Sequence, residues 1–301
     1  MSSDRVHAAR AVLRAANGLG SRGAEGLWAS VGSAAGMLLP QAPRRWSSSG
    51  RERVLVIAPH PDDEAMGCAG TLIRHHQSGD LVRVVFMTDG SRSRAFGFDA
   101  ASMRRLREAE AIRAAARMGA SCDWVGLREG DWSDEDGRAA VLRALKQTDP
   151  TVVYAPSLID YHPEHRRVAK MLGAILGEGR AAPEVRMYAV QVPLTPVLTN
   201  LVHDVSDLEG AIGAVLACYP SQRESVMPML RLRRYAARFY GASNQVEGFC
   251  AIPASAYALL HARLPAKFRP LSGRAWTDPL AIVVGLAERM TWSRLARVKL
   301  P

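Results

Sequence analysis

The chain has 301 residues, of which 48% are hydrophobic and 23% charged, a composition typical of a soluble globular protein. This length suits one large α/β domain or two smaller domains. Every apolar run is well short of about 20 residues, the length that a membrane-spanning helix needs. The four cysteines contain no CxxC pair, which argues against a zinc finger and against a disulfide framework. Free thiols fit a reducing compartment, so we expect a cytoplasmic protein.

The net charge of +10 is concentrated at the two ends of the chain. Residues 1–50 hold six arginines and two acids, a net charge of +4, and residues 261–301 hold eight basic residues and two acids, a net charge of +6. Residues 51–260 are therefore neutral. A neutral body without a basic, aromatic platform argues against nucleic-acid binding. We divide the chain into a basic N-terminal extension with a linker (1–50), a central domain (51–260) and a basic C-terminal extension (261–301).

Each extension carries one further expectation. In the N-terminal extension, polar or mixed residues come first and Gly32 and Gly36 interrupt the apolar stretch, which argues against a cleaved secretory signal. In the C-terminal extension, Leu280–Val298 has the composition of an amphipathic helix. Because this segment is basic, we expect it to contact an anionic membrane surface peripherally, at the inner face of the membrane.

The central domain alternates strand patterns with helix patterns along the chain. The predicted strands are Arg53–Ala58, Leu81–Thr88, Asp123–Leu127, Thr151–Ala155 and Val185–Val192. The predicted helices are Glu64–Ser78, Ser102–Met118, Arg138–Gln147, His165–Leu176, Leu208–Cys218 and Arg223–Tyr240. This alternation predicts βαβ units, a mostly parallel sheet and the α/β fold class.

The first predicted strand ends in a cluster of one histidine and three acids, His60, Asp62, Asp63 and Glu64. The strand is apolar throughout, as expected for a parallel strand that is covered on both faces. Pro61 favours an extended conformation at the histidine before it, so the strand should continue to that point and then turn. The acids then lie beyond the carboxyl end of a strand, where open α/β sheets place their ligand sites.

A second cluster, Asp160, His162, Glu164 and His165, follows the predicted strand Thr151–Ala155. Catalytic zinc typically takes three protein ligands of histidine and carboxylate type and leaves a fourth position to water. The first cluster's histidine, one aspartate and one histidine of the second cluster would complete such a set. The alternative is that these are unrelated polar residues at loop ends. Two proline-flanked clusters, each after an apolar strand, favour the metal site.

The two clusters resemble the motifs of a known family. Ala58-Pro-His-Pro-Asp-Asp-Glu64 resembles the AHPDDE signature of the LmbE-like (PIG-L) family of metal-dependent N-acetylglucosamine deacetylases. His162-Pro-Glu-His165 resembles the later HPDH motif of that family, with Glu164 in place of aspartate. Weaker similarities are Thr88-Asp-Gly90, Arg107-x-x-Glu110, Tyr219-Pro-Ser-Gln222 and Glu247-Gly-Phe249. The resemblance extends over about residues 53–252 in the order of the family.

The resemblance implies a Rossmann-like, three-layer α/β/α domain and a set of catalytic roles. Zinc, with Fe²⁺ as the alternative, would be held by His60, Asp63 and His165. Asp62 would be the general base. His162 would stabilise the oxyanion or serve as the acid.

The resemblance also suggests substrate contacts and supporting residues. Arg107 would meet a hydroxyl or a phosphate of the substrate. An acid after the third strand would bind sugar hydroxyls, and Glu129 and Asp131 are the two candidates, because this chain lacks the family's Leu-Pro-Asp-Gly-like turn. We expect Glu64 to contact the residues of the site, or to serve as an acid at the start of a helix, rather than to bind the metal itself. We expect Asp160 to hold the ring of the neighbouring catalytic histidine.

The leading hypothesis is a zinc-dependent hydrolase that removes the acetyl group from an N-acetylglucosamine-containing sugar or glycoconjugate, giving acetate and a free amine. One alternative is an amidase that acts on another amide or on a thiol conjugate, because the same site would cleave other amides. Another is a sugar-binding homologue without catalytic activity. The intact Asp62 argues against the last alternative.

Overall fold

This computed structural model describes residues 42–263 except for 159, 161, 180, 191–193, 195–198, 224–225, 227–232, 234–236 and 238–239. The predicted C-terminal helix Leu280–Val298 and most of the predicted helix Arg223–Tyr240 lie outside the described residues. Within the described part of the chain, no helix combines the length and the apolar character that crossing a membrane requires.

The described residues form one eight-stranded sheet. Its strands are β1 (Arg44–Arg45), β2 (Arg53–Ala58), β3 (Leu81–Thr88), β4 (Ser121–Leu127), β5 (Val152–Pro156), β6 (Glu184–Tyr188), β7 (Leu201–Asp204) and β8 (Val246–Pro253). Their order across the sheet is β1-β7-β8-β6-β5-β2-β3-β4. All neighbours run parallel except β8, which is antiparallel to β6 and to β7. The predicted α/β class with a mostly parallel sheet is confirmed.

Helices cover both faces of this sheet. The α-helices with described bounds are α1 (Asp63–Gln77), α2 (Ala100–Arg117), α3 (Asp134–Thr148), α4 (Pro163–Gly177), α5 (Glu209–Leu216) and α6 (Ala254–Arg263). Val54, Val56 and Ala58 of β2 pack with residues of α1, α2 and α5, whereas Leu55 and Ile57 pack with residues of α3, α4 and α6. Alternate side chains of one strand therefore enter two cores, which explains its continuous apolar run and confirms the three-layer arrangement.

Local capping explains where two helices begin earlier than predicted. Helix α3 begins at Asp134 rather than Arg138, because the Ser133 hydroxyl accepts a hydrogen bond from the Asp136 N–H at 3.0 Å. The three acids in the first turn of α3 also interact favourably with the positive end of the helix dipole. Helix α4 begins at Pro163, and the residue before it caps the helix with its imidazole ring.

Some strand predictions were incomplete. The bounds of β2 and β3 agree with the prediction, whereas the strand predicted to reach Val192 ends at Tyr188 in the structure. The short strand β7, the antiparallel strand β8 and helix α6 were not predicted. Strand β8 lies between β6 and β7, so its place in the sheet depends on pairing partners that are distant in the sequence.

A hydrogen-bonded cluster around His75 lies where β2 and β3 begin, at the edge opposite the carboxyl ends of the parallel strands. The buried His75 ring lies 2.6 Å from an oxygen of Asp80 and 3.0 Å from the Tyr154 hydroxyl. Trp46 also donates to this hydroxyl and stacks on His203 at 4.3 Å between ring centroids. The cluster thereby attaches the segment that precedes β2 to the body. Burial lowers the pKa of His75 to about 4, although Asp80 acts to raise it.

We predict that His75 makes the protein less stable in mild acid. Its folded pKa of about 4 lies below the ordinary value of 6.5, so the unfolded state binds the extra proton as the pH falls through this window. This group stabilises the fold fully above pH 6.5 and loses up to about 3 kcal/mol of that contribution by pH 4. Urea unfolding across this range should show a smaller pH dependence for His75→Gln than for the wild type.

The matched control is His76→Gln, which changes the neighbouring exposed histidine of the same helix and should keep the wild-type slope. Equal slopes for His75→Gln and the wild type would contradict the prediction.

Candidate metal and active site

The two sequence clusters meet at the carboxyl ends of β2 and β5, which are neighbours in the sheet. His60 Nδ1 lies 3.3 Å from Asp63 Oδ2 and 3.1 Å from His165 Nε2. His165 Nε2 lies 3.1 Å from the same Asp63 oxygen. We call these three residues the ligand triangle. Their exposed fractions are 8%, 2% and 1%, so all three donor atoms lie in a nearly buried pocket.

The dimensions of the ligand triangle fit a tetrahedral metal ion. Bonds of 2.0–2.2 Å from zinc to nitrogen and oxygen place adjacent tetrahedral ligands about 3.3 Å apart. The three measured sides of 3.1–3.3 Å match this value. Three protein ligands also leave one position of the tetrahedron open, as in catalytic zinc sites.

At the carboxyl ends of the strands, two other groupings of described residues also bring possible metal ligands together. One combines His60 and His165 with His162, and the other combines His60 with Glu129 and Glu164. Their ligand atoms lie within 4.8 Å of one another, a looser limit than the sides of the ligand triangle. In the second grouping, the 2.7 Å between His60 Nε2 and Glu164 Oε2 is shorter than the about 3.3 Å between two ligands of a tetrahedral metal ion and is typical of a hydrogen bond. The ligand triangle is therefore the best match for a metal.

The charges within the ligand triangle are strongly coupled. Burial disfavours a charged His60 ring, but hydrogen bonds to Asp63 and Glu164 outweigh this effect and raise its pKa to about 9. Burial also disfavours the Asp63 carboxylate, yet His165 and His60 hold its pKa well below the usual range. Because ligands must lose their protons to bind a metal, we expect metal binding to release protons here.

Asp160 orients the far side of the His165 ring. Its Oδ1 lies 3.1 Å from His165 Nδ1, and its side chain is fully buried. The same oxygen accepts a hydrogen bond from the backbone N–H of His162 at 2.9 Å. The sequence led us to expect this carboxylate on the ring of His162, whereas the structure places it on that residue's backbone, because the ring instead caps helix α4 through its Nδ1.

Glu164 was not among the predicted site residues, but it contacts His60 directly. Its Oε2 lies 2.7 Å from His60 Nε2, while its Oε1 accepts hydrogen bonds from Gly130 N–H at 2.6 Å and from Trp132 Nε1 at 3.0 Å. Burial raises its pKa, but these partners, His60 first, bring the value down to about 2. The sequence feature that could have indicated a role for Glu164 in the site is its position inside the His-Pro-Glu-His motif.

Asp62 has an unusual backbone that separates its side chain from Asp63. Its φ of 121° lies in a region that only glycine occupies readily. Such a conformation costs about 1–3 kcal/mol and persists only where surrounding contacts impose it. The Asp62 N–H donates to Glu64 Oε2 at 3.1 Å, and Arg107 donates to Asp62 Oδ1 at 3.2 Å and to the Pro61 carbonyl.

The environment of Asp62 suits proton transfer near neutral pH. Burial raises the pKa of Asp62 to about 6, with the positive charge of Arg107 opposing the shift and the negative charge of Asp63 adding to it. A carboxylate with this pKa is largely ionised at pH 7 and still accepts a proton readily.

Arg107, predicted as a substrate contact, is only 2% exposed and supports Asp62. Arg107 also donates to the Ser221 hydroxyl at 3.4 Å, and Glu110 accepts from the same hydroxyl at 2.6 Å. Gly90, with φ of 62°, passes so close to the Arg107 side chain that a Cβ would lie 2.8 Å from its Nε. The sequence singled out Ser221 by motif similarity but did not connect it with the base.

Glu64 lies behind the site and is fully buried. Its Oε1 accepts a hydrogen bond from the Tyr219 hydroxyl at 2.5 Å, while its other oxygen holds the backbone of Asp62. Burial raises the pKa of Glu64 to about 8, and the bond from Tyr219 opposes this shift. Its contacts are those of a supporting residue, as the sequence led us to expect.

The His162 ring stands edge-on to the His60 ring, with 4.6 Å between the centroids. Its Nδ1 accepts a hydrogen bond from the Glu164 N–H at 3.3 Å. Burial, together with the positive charges of His60 and His165, lowers the pKa of His162 to about 3. The ring is therefore neutral at pH 7, and its proton lies on Nε2, because Nδ1 is an acceptor.

The two predicted sugar-binding acids differ in position. Glu129 Oε1 lies 3.8 Å from His60 Nε2, and its side chain is only 15% exposed. The Asp131 side chain is 77% exposed and pairs with Arg128 at 3.5 Å. The loop after β4 thus brings Glu129 to the ligand triangle and directs Asp131 to solvent.

Residues 55–176 match the family model of PIG-L, described as GlcNAc-PI de-N-acetylase. This region of the chain is therefore similar to the PIG-L family. Both histidine-containing clusters of the site lie inside this match.

The proteins similar to this chain include named deacetylases. Diacetylchitobiose deacetylase of Thermococcus kodakarensis is 30% identical over 121 residues, which are 38% of this chain and 45% of that protein. A probable N-acetyl-α-D-glucosaminyl L-malate deacetylase 2 of Bacillus anthracis is 26% identical over 147 residues, or 46% of this chain and 65% of that protein. The matches thus span between about half and two thirds of these relatives.

Among solved structures, N,N'-diacetylchitobiose deacetylase from Pyrococcus horikoshii has a TM-score of 0.58 and 24% sequence identity. The similarity covers 71% of this chain and 87% of that one. At this level of identity, the structural similarity shows that the two proteins share a fold.

The three possible ligand groupings can be separated by metal binding. Asp63→Ala removes a residue unique to the ligand triangle, and His162→Ala and Glu129→Ala each remove one unique to an alternative grouping. We expect only Asp63→Ala to lose metal affinity by more than about 100-fold, because changes to residues that merely surround ligands already cost 10–100-fold. The measurement is bound zinc or iron per chain over a series of free metal concentrations.

Circular dichroism of each variant checks that it folds, and Asp63→Asn repeats the test with a side chain of the same size. Retention of metal by Asp63→Ala, with loss in one of the other two variants, would assign the site to that variant's grouping.

Proposed function

We propose that this protein is a metal-dependent hydrolase that removes the acetyl group from an N-acetylglucosamine-containing sugar or glycoconjugate. The products are acetate and a free amine. The observation that carries the proposal is the buried ligand triangle beside a separate carboxylate, Asp62, whose pKa is raised to about 6. The named activities of the relatives support an N-acetylated sugar as the substrate class.

An amide resists hydrolysis because its carbonyl is a weak electrophile and its nitrogen is a poor leaving group. A zinc ion held by His60, Asp63 and His165 would polarise the carbonyl and lower the pKa of a bound water to about 7. Asp62 takes the proton of the attacking water and transfers it to the departing nitrogen. Arg107 keeps the Asp62 carboxylate in place during this transfer.

His162 acts on the carbonyl oxygen in this proposal. Its neutral ring presents Nε2–H as a donor, because the Glu164 N–H occupies Nδ1. The hydrogen bond becomes stronger as negative charge builds up on the oxygen, and single donors of this type contribute about 3 kcal/mol to transition-state stabilisation. Proton donation to the nitrogen is thus assigned to Asp62, and oxyanion stabilisation to His162.

We assign sugar recognition to Glu129 rather than Asp131. A carboxylate accepts hydrogen bonds from sugar hydroxyls, and Glu129 is the one of the two that reaches the ligand triangle. We also propose that residues 51–260 form the catalytic domain, that 1–50 and 261–301 are extensions, and that the protein is cytoplasmic. Strand β1, within the first of these extensions, pairs with β7.

Asp62→Asn tests the proposed base. The amide cannot take up the water's proton, so we expect kcat for acetate release to fall by about 10²–10⁴-fold while the bound metal per chain stays unchanged. Acetate is measured over a panel of N-acetylglucosaminyl compounds with metal-loaded enzyme.

An unchanged rate for Asp62→Asn would remove Asp62 from the mechanism. Failure of the metal-loaded wild type to release acetate from any member of the panel would overturn the proposed substrate class.

A matched pair of variants tests sugar recognition. Glu129→Gln should raise KM by about tenfold, because hydrogen bonds to a charged group contribute about 1.5–3 kcal/mol. Asp131→Asn should leave KM unchanged, since that side chain points to solvent. The assignment is wrong if both variants have the same effect on KM.

A further inference from the structure

The loop between β3 and α2 presents an exposed aromatic pair with two arginines. Arg92, Arg94, Phe96 and Phe98 alternate along the chain, and all four are exposed. The exposed fractions of the two phenylalanines are 61% and 49%, and their ring centroids lie 5.8 Å apart. We call residues 92–98 the rim loop. Large exposed rings that lie together mark an interaction surface more often than isolated ones do.

The backbone of the rim loop holds one ring outward at an energetic cost. Phe96 adopts φ of 58° and ψ of 4°, the left-handed conformation that glycine favours and bulky residues avoid. Gly97 follows with φ of 67°, and a Cβ placed there would have no atom within 4 Å. The rings therefore protrude from an open turn instead of lining a groove, which favours a broad partner surface over a small ligand.

The charge around the rings is positive. Neither Arg92 nor Arg94 forms an ion pair with the described residues. The exposed Arg104 and Arg105 follow in α2, while Asp99 is used as the N-cap of that helix and accepts from the Ser102 N–H at 2.9 Å. Residues 92–105 thus hold four arginines and one acid, a net charge of +3. This charge is complementary to an anionic surface.

The base of the rim loop is attached to the wall of the active site. The Arg92 N–H donates to Glu129 Oε2 at 3.1 Å, and Gln222 Nε2 donates to the Ser93 hydroxyl at 3.0 Å. The other oxygen of Glu129 faces His60 at 3.8 Å. The exposed tip therefore lies next to the entrance of the site on a loop whose base is fixed.

We propose that the rim loop docks this protein on an anionic lipid surface. The phenylalanine rings enter the interface between headgroups and acyl chains, and the arginines bind anionic headgroups. Docking itself does not depend on the catalytic proposal. If the proposed function also holds, the entrance of the site faces the lipid surface and acts on sugars carried there.

Vesicle co-sedimentation of the full chain tests this docking. The vesicles contain phosphatidylcholine with or without phosphatidylglycerol, over a series of salt concentrations. The variants are Phe96→Gly/Phe98→Ser, in which glycine suits the left-handed backbone, and Arg92→Gln/Arg94→Gln. The control is Leu81→Ser, which removes a 70% exposed apolar side chain at the start of β3, at the opposite edge of the sheet. The basic ends of the chain are present in every variant, so their contribution cancels.

We expect the wild type to bind phosphatidylglycerol vesicles, more weakly as salt increases. Loss of each arginine should lower the partition coefficient about fivefold, and loss of both rings should lower it by about tenfold or more. Leu81→Ser should bind like the wild type. Circular dichroism and thermal unfolding check that all variants fold.

Several outcomes would overturn the proposal. They are the absence of binding by the wild type, equal binding by the rim-loop variants and the control, and a change in oligomeric state by light scattering without a change in vesicle binding. A change in KM for a soluble N-acetylglucosaminide without a change in vesicle binding would instead assign the rings to the substrate pocket. Because vesicle binding is measured without substrate, its failure is distinct from failure of the proposed activity.

Discussion

The site depends on the close approach of charged groups that are almost removed from water. Two imidazoles and one carboxylate lie within 3.3 Å of one another in the ligand triangle, and none is more than 8% exposed. Buried charges are tolerated only when partners satisfy them. Glu164 lies 2.7 Å from the outer nitrogen of the His60 ring, and the Asp160 carboxylate lies 3.1 Å from the outer nitrogen of the His165 ring as its ion-pair partner. The surrounding acids thus stabilise the charges of the three inner residues.

The need of buried charges for partners also places two adjacent acids in different environments. Asp63 points into the ligand triangle, whereas Asp62 turns away through a left-handed backbone and meets Arg107. Glu64 holds this turn by accepting a hydrogen bond from the Asp62 N–H. Glu64 in turn accepts a hydrogen bond from Tyr219, which lies 155 residues later in the chain. The strain at Asp62 is therefore maintained by the fold as a whole, a common property of functional sites.

The histidine-containing clusters at the two edges of the sheet have different roles. At the carboxyl ends of the strands, two histidines and an aspartate meet with the spacing of metal ligands. At the opposite edge, His75 is enclosed by partners that satisfy its ring and attach the segment before β2 through Trp46. Clustered histidines and acids alone do not distinguish a metal site from a structural network.

The sequence by itself determined the α/β class, the bounds of β2 and β3, and the two clusters that follow apolar strands, because strand periodicity and proline-flanked turns are local properties. Only the tertiary structure decided which side chains meet. It placed Asp160 on the His165 ring, brought Glu164 to His60 and turned Asp131 to solvent. It also decided the pairing of β7 and β8. These contacts join residues far apart in the chain, so their geometry follows from packing and burial, which no local pattern records.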